Sequence, residues 1–235
     1  MPTIRNRWRH ASLAWLIAGC ALAGAARAHE ASPVRADFDP PAPGTYQLER
    51  IQRAPEGTVL DARGRRQPLS TYTRGGITVL ALMYTSCSDA KGCPLALHSM
   101  IQLRSALERR PAARGHVKLV SLSFDPVRDT PAAMREYAGT LGAANSAVRW
   151  HFLTTASTRE LLPLLEGFGQ DVSVPADGEA AAATGELSHV LKVFLIDRDG
   201  WVREIYTTAF LVPKVLLNDV ETLMMEERGE RSRRR

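Results

Sequence analysis

The chain has 235 residues, 45% of them apolar and 23% charged, a balance that fits one globular domain with short appendages and excludes disorder, collagen-like repeats and a disulfide-dense scaffold. Thirty Lys and Arg against 25 Asp and Glu give a net charge of +5, but Arg5, Arg7, Arg9 and Arg27 stand in an opening segment that has no acid. Without residues 1–28 the count is 26 basic to 25 acidic, so no nucleic-acid partner is expected.

Residues 1–28 read as a secretory signal peptide: a basic opening, an apolar run from Ala11 to Ala26, and the small-residue triplet Ala26-Arg27-Ala28. Two other readings stay open. Ile17-Ala18-Gly19-Cys20 is similar to a lipobox that would place a lipid on Cys20, and the apolar run of 16 residues could remain as an anchor, although roughly 20 are needed to cross a bilayer. All three put the protein in a periplasmic or other extracytoplasmic space, soluble or membrane-associated. Residues 29–45, with Pro33, Pro40, Pro41 and Pro43, are expected to form an extended linker, and residues 46–227 the folded domain.

Within that domain, Thr58 to Asp61 and Gln67 to Leu69 flank the turn-forming Ala62-Arg63-Gly64 and predict an N-terminal hairpin extension. Ile77 to Tyr84 is a nearly continuous apolar run, as in a strand covered on both faces. Cys93-Pro94 opens a helix carrying Leu95, Leu97, Met100, Leu103 and Leu107, with Pro94 suited to the first turn, where a missing amide costs nothing. His116 to Phe124 is a second buried-type strand, and Asp129-Thr130-Pro131 signals the start of a helix carrying Met134, Tyr137 and Leu141.

Trp150 to Leu153 predicts a third strand and Thr158 to Phe168 a third helix, followed by a polar, Ala-rich insertion from Gly169 to Gly185. His189 to Ile196 and Trp201 to Tyr206 then flank Asp197-Arg198-Asp199-Gly200 as a hairpin, and Pro213 to Glu227 forms a last amphipathic helix. Residues 228–235 are expected to be a basic, disordered tail. Crossovers first, then a hairpin and a helix, predict an α/β, thioredoxin-like fold with a central mixed sheet flanked by helices.

If Cys20 departs with the signal, Cys87 and Cys93 remain, two thiols poised for a disulfide or a metal. On one continuous helix, six positions would set them roughly 240° apart and about 9 Å along the axis. They can meet only if the intervening loop, with Gly92, folds back onto the helix start. Cys93 at the N-cap would be favoured as thiolate by the helix dipole, which serves disulfide exchange and soft-metal binding alike. His189, at the entrance of the strand Val190 to Ile196, is the candidate third group, although its position equally fits a polar residue closing a strand end. His98, His116 and His151 are weaker candidates.

Four ordered blocks carry a family resemblance: the cysteine pair followed by Pro94, Ser123 to Pro131 (SFDPVRDTP), Trp150 to Thr154 (WHFLT), and His189 ahead of Val193 to Gly200 (VFLIDRDG). Together they resemble the Sco/SenC family, copper-handling proteins associated with assembly of cytochrome oxidase. The resemblance implies a thioredoxin-like fold, one copper held by Cys87, Cys93 and His189, and Asp125 as an acidic neighbour of that site. It departs at one point, because the family's C-x-x-x-C-P is here C-S-D-A-K-G-C-P, two residues longer.

The function expected from these residues is a copper chaperone that hands its ion to a respiratory oxidase or other cuproenzyme, with a thiol reductant protein keeping the pair reduced. The alternative is a thiol-disulfide oxidoreductase using Cys87 and Cys93, one reducing cysteines of a copper site among the possible roles. Against that enzyme class stand the missing C-x-x-C spacing and the absence of proline from Leu187 to Phe194.

Overall fold

The computed structural model describes residues 38–87, 92–173 and 188–233. The expected signal segment 1–28, Cys20 and residues 29–37 of the linker lie outside the described residues.

The centre of the domain is set by β4 (Ile77–Met83), in which all seven residues are buried, as a strand covered on both faces requires. On one side it pairs in parallel with β5 (Val117–Ser123), which pairs in parallel with β6 (Arg149–Thr154). On the other side it pairs antiparallel with β9 (Val193–Ile196), and β9 with β10 (Trp201–Tyr206). The short β1 (Gln52–Arg53) closes the sheet beyond β10, and the hairpin β2 (Thr58–Asp61) and β3 (Arg66–Pro68) closes it beyond β6, giving eight strands. The expected mixed sheet is therefore present, with its hairpin extension at one edge.

A one-turn α1 (Ser70–Thr73) leads into β4. The parallel pairs are joined by α2 (Cys93–Glu108) and α3 (Pro131–Ala138). At the start of α3 the Ala133 N–H donates to Thr130 Oγ1, and Pro131 occupies the first turn. α4 (Thr158–Gly167) follows β6, and α5 (Pro213–Arg233) ends the described chain. α2 packs against α5, where Ser99 Oγ donates to the Leu211 carbonyl at 3.1 Å and Arg110 pairs with Glu221. α3 packs on β6.

Three boundaries differ from expectation. The fold begins near Pro41 rather than Tyr46, because the Pro41 carbonyl accepts from Asn218 Nδ2 at 2.7 Å and the Gly44 N–H donates to Thr222 Oγ1 at 3.0 Å, both on α5. α5 continues to Arg233 instead of stopping at Glu227. The residues after Glu227 include Arg228, Glu230 and Arg231, good helix formers, and arginines suit a helix C-terminus. Finally, the strand expected from His189 to Ile196 is broken: only Val193–Ile196 joins the main sheet, while β8 (Ser188–His189) pairs with β7 (Val172–Ser173) in a separate ladder. Lys192 Nζ donates to the Gly169 carbonyl and Gln170 Nε2 to the Val190 carbonyl, side-chain bonds that hold residues 190–192 between the two ladders.

His151, within β6, packs edge-on against Tyr72 with centroids 5.0 Å apart. Burial, then the positive charges of Arg149 and Lys118, lower its pKa from 6.5 to about 4, with Asp61 opposing. The fold thus favours the neutral ring, so its stabilising contribution is complete above about pH 6.5 and is lost as pH falls toward 4, by roughly 3 kcal/mol at most. Urea unfolding of His151→Gln between pH 7 and pH 4 should show a flatter fall in stability than the parent protein; an equally steep fall would remove His151 as the cause.

Candidate metal centre

β4 ends at Met83, and the chain turns through Thr85 and Ser86 to Cys87, whose N–H donates to the Tyr84 carbonyl at 3.3 Å. Residues 88–91 lie outside the described residues, and the chain re-enters at Gly92 to begin α2 at Cys93. Cys87 and Cys93 do meet: they are not joined in a disulfide, and their side chains are in hydrogen-bond contact. Cys87 is half-buried, whereas Cys93 is 3% exposed.

Cys93 is the first helical residue and Gly92 the N-cap, which corrects the expected placement. The expected fall in its pKa is also reversed. Burial pushes the Cys93 thiol well up, the contact with Cys87 adds to this, and hydrogen bonding to the backbone at Tyr84 offsets only part. Desolvation of a charge outweighs a helix terminus once the sulfur is removed from water.

Beneath the loop lies Asp129, which is fully buried. It accepts from the Thr85 N–H at 2.9 Å, from the Thr85 hydroxyl at 2.5 Å and from the Ser123 hydroxyl at 2.5 Å. One carboxylate therefore ties the start of the cysteine loop to the end of β5. Asp129-Thr130-Pro131 marks the helix start as expected, with Thr130 as the cap and Asp129 buried. Asp125, the expected acidic neighbour, is also buried, yet its carboxylate is engaged by Arg128 at 2.7 Å and its N–H by Ser123 Oγ at 3.0 Å.

Tyr137, which the sequence presented only as part of an apolar helix face, belongs to this region. Burial first, then the charges of Cys93, Cys87 and Asp129, raise its pKa to about 12, which places its phenol within electrostatic reach of both sulfurs. Its ring packs edge-on against Phe152 at 6.1 Å. No periodicity distinguishes such a residue from ordinary core.

The third expected ligand, His189, has its backbone in β8, paired with Val172; its side chain lies outside the described residues. The antiparallel register Ala81↔Val193, extended by the Leu82 N–H donating to the Lys192 carbonyl at 3.4 Å, carries residues 191 and 190 toward the end of β4 where the cysteine loop begins. Among the described residues no group of three or more His, Cys, Asp and Glu side chains is assembled to hold a metal. The two thiols are nonetheless a soft donor pair, suited to monovalent copper and poorly suited to a hard cation. His98 is instead in contact with Gln102 on α2, and among the described residues no helix is long and apolar enough to cross a membrane.

Comparison with known proteins agrees with this geometry. The SCO1/SenC family pattern matches residues 58–225. A Stutzerimonas stutzeri protein named for copper binding is 31% identical over 140 residues, spanning 57% of this chain and 65% of that protein, just under two thirds of its length. The fold resembles copper-bound ScoI of Bradyrhizobium japonicum, with TM-score 0.55, 21% identity, and 73% and 98% of the two chains covered. It also resembles copper-bound ScoI of Arabidopsis thaliana, with TM-score 0.58, 18% identity, and 73% and 97% covered.

Asp129→Ala strips a buried partner from three donors and should lower the unfolding free energy by about 3 kcal/mol. In the same variant the Cys93 thiol should react faster with an alkylating reagent under native conditions. Unchanged urea unfolding together with unchanged alkylation would show that Asp129 does not anchor the loop.

Proposed function

The chain belongs to the SCO1/SenC family, and from that premise we propose that it is a copper chaperone: it holds one copper ion between Cys87 and Cys93, with His189 as third ligand, and passes it to a respiratory oxidase or another cuproenzyme. The observation that carries this reading is the contact between the two sulfurs at the end of β4, one half-buried and one enclosed. The ion is the cargo rather than a resident cofactor.

The raised proton affinity of Cys93 fits this role. A buried thiol beside a second thiol resists ionisation on its own, because its negative charge would be poorly solvated and would face the other sulfur. A copper ion arriving with positive charge removes that obstacle, so binding displaces the thiol proton and is coupled to pH. The half-exposed Cys87 is the sulfur an acceptor can reach first, and release proceeds as acceptor ligands replace Cys87, Cys93 and His189 one at a time. Oxidation of the pair would block the site, since the ligands must be thiolates. The basic and apolar opening of the chain supports an extracytoplasmic location, where a reductant protein would be required.

The same sulfur contact favours a second reading, thiol-disulfide exchange. Cys87 as thiolate would attack a partner disulfide, Cys93 would resolve the mixed disulfide, and the partner would leave with two thiols while the pair becomes oxidised.

Titration of the reduced chain with Cu(I) in competition with a chromophoric chelator separates the two. One tightly bound copper is expected, lost in Cys87→Ser and in Cys93→Ser, and bound at least tenfold more weakly in His189→Ala, which should still form its disulfide. Tight binding retained by either serine variant would exclude the paired-thiolate site, and no copper uptake alongside fast reduction of a partner disulfide would favour exchange.

A further inference from the structure

The strands that present the cysteines at one end gather cations at the other. Lys118 on β5 and Arg149 on β6 are direct register partners, so their side chains leave the same face of adjacent strands about 5 Å apart. Like charges so placed destabilise a sheet. His151, two residues beyond Arg149, shares that face. The repulsion registers in the groups themselves: burial and then Arg149 depress the pKa of Lys118, and Arg149 and Lys118 contribute to the depression at His151.

Along the part of the β6 edge that β2 leaves unpaired opens a cleft of about 400 Å³ whose charged lining includes Arg63 of the hairpin turn, Arg135 of α3 and Arg149. A second recess of about 420 Å³, lined by His116 and Lys118, adjoins it and shares Arg149 and Ala144. Asp61 is an acid of the first cleft, and it is taken up by the Arg65 guanidinium at 2.7 Å and by the N–H groups of Arg63 and Arg65 at 2.9 Å. Among the described residues none of Arg63, Arg135 and Arg149 is in a salt bridge. Arg135 is nonetheless fixed, donating to the Ala62 carbonyl at 2.9 Å. The chain as a whole carries almost no excess charge beyond its opening segment, so this concentration is created by folding.

We propose that this cleft is an anion-binding site for a phosphate group, supplied by a phosphate ester or by an anionic lipid headgroup. Three guanidiniums with planar donor forks line a space larger than a carboxylate fills and match the several oxygens of phosphate. An anion bound beside Arg149 offsets its repulsion with Lys118. The site does not depend on the copper reading.

Calorimetric titration of the full chain with inorganic phosphate and with pyrophosphate, against sodium chloride of matched ionic strength, should give saturable binding. That binding should weaken at least tenfold in Arg63→Gln/Arg149→Gln. Sedimentation with phosphatidylglycerol vesicles, compared with phosphatidylcholine vesicles, distinguishes the sources: loss of sedimentation in the double variant assigns the headgroup, and unchanged sedimentation with lost phosphate binding assigns a free ester. In phosphate-free buffer Arg149→Gln alone should raise the urea midpoint by relieving its repulsion with Lys118. Binding equal in variant and parent, no binding of either probe beyond chloride, or a midpoint in Arg149→Gln at or below the parent's would overturn the proposal.

Discussion

The Asp129 carboxylate connects more of the site than any other single group. It stands at the junction of three pieces of backbone: the end of β5, the start of the cysteine loop and the residue before α3. A buried carboxylate is stable only where donors surround it, and here two hydroxyls and an amide do so. Because Thr85 gives both its N–H and its hydroxyl, the loop can leave β4 in only one direction. That direction brings Cys87 over the first turn of α2. The ordering of the sulfurs is thus inherited from a polar contact that touches neither of them, and the tilted packing of Tyr84 against Phe124, with centroids 5.1 Å apart, backs it from the apolar side.

Held this way, the two sulfurs are unequal. Cys93 is a core residue by exposure and Cys87 is not, so one sulfur anchors and the other communicates with solvent. This asymmetry suits the proposed exchange of an ion, one sulfur retaining it while the other is open to an acceptor. The five residues between the cysteines do not keep the sulfurs apart, because the contact is fixed at its ends by Tyr84 and by the start of α2.

Much of this architecture could be read in the amino-acid sequence, for physical reasons that also explain the misses. The apolar run of β4 has few interpretations other than a strand covered on both sides, and the hairpin around Asp197 to Gly200 is announced by its turn residues. The break at residues 190–192 was not legible, because Leu191 is as buried as the strand residues that follow and its pattern continues theirs. What interrupts the strand are side-chain bonds from Gln170 and Lys192 to carbonyls. Asp129-Thr130-Pro131 marked the start of α3, but only tertiary structure shows that Thr130 caps it while Asp129 turns inward to the cysteine loop. For Cys93 the local rule, a helix terminus, and the global one, burial, oppose each other, and burial prevails. His189 was a candidate from its place at a strand entrance, and the resemblance gave it the role of ligand and Asp125 its place near the site. The basic cleft was invisible because its cations come from separate strands, a hairpin turn and a helix.

The strands themselves set a distance. From Lys118 and Arg149 to the ends of β5 and β6 run five residues of extended chain, which with the turn beyond amounts to roughly 20 Å. The sheet therefore acts as a spacer between two poles of unlike chemistry, one soft and thiol-bearing, the other cationic. At that separation, with salt screening charge beyond about 8 Å, Lys118 and Arg149 are electrostatically deaf to the sulfurs. The domain could be tethered by one end while the other stays open to traffic, and neither occupant would have to leave for its counterpart to arrive.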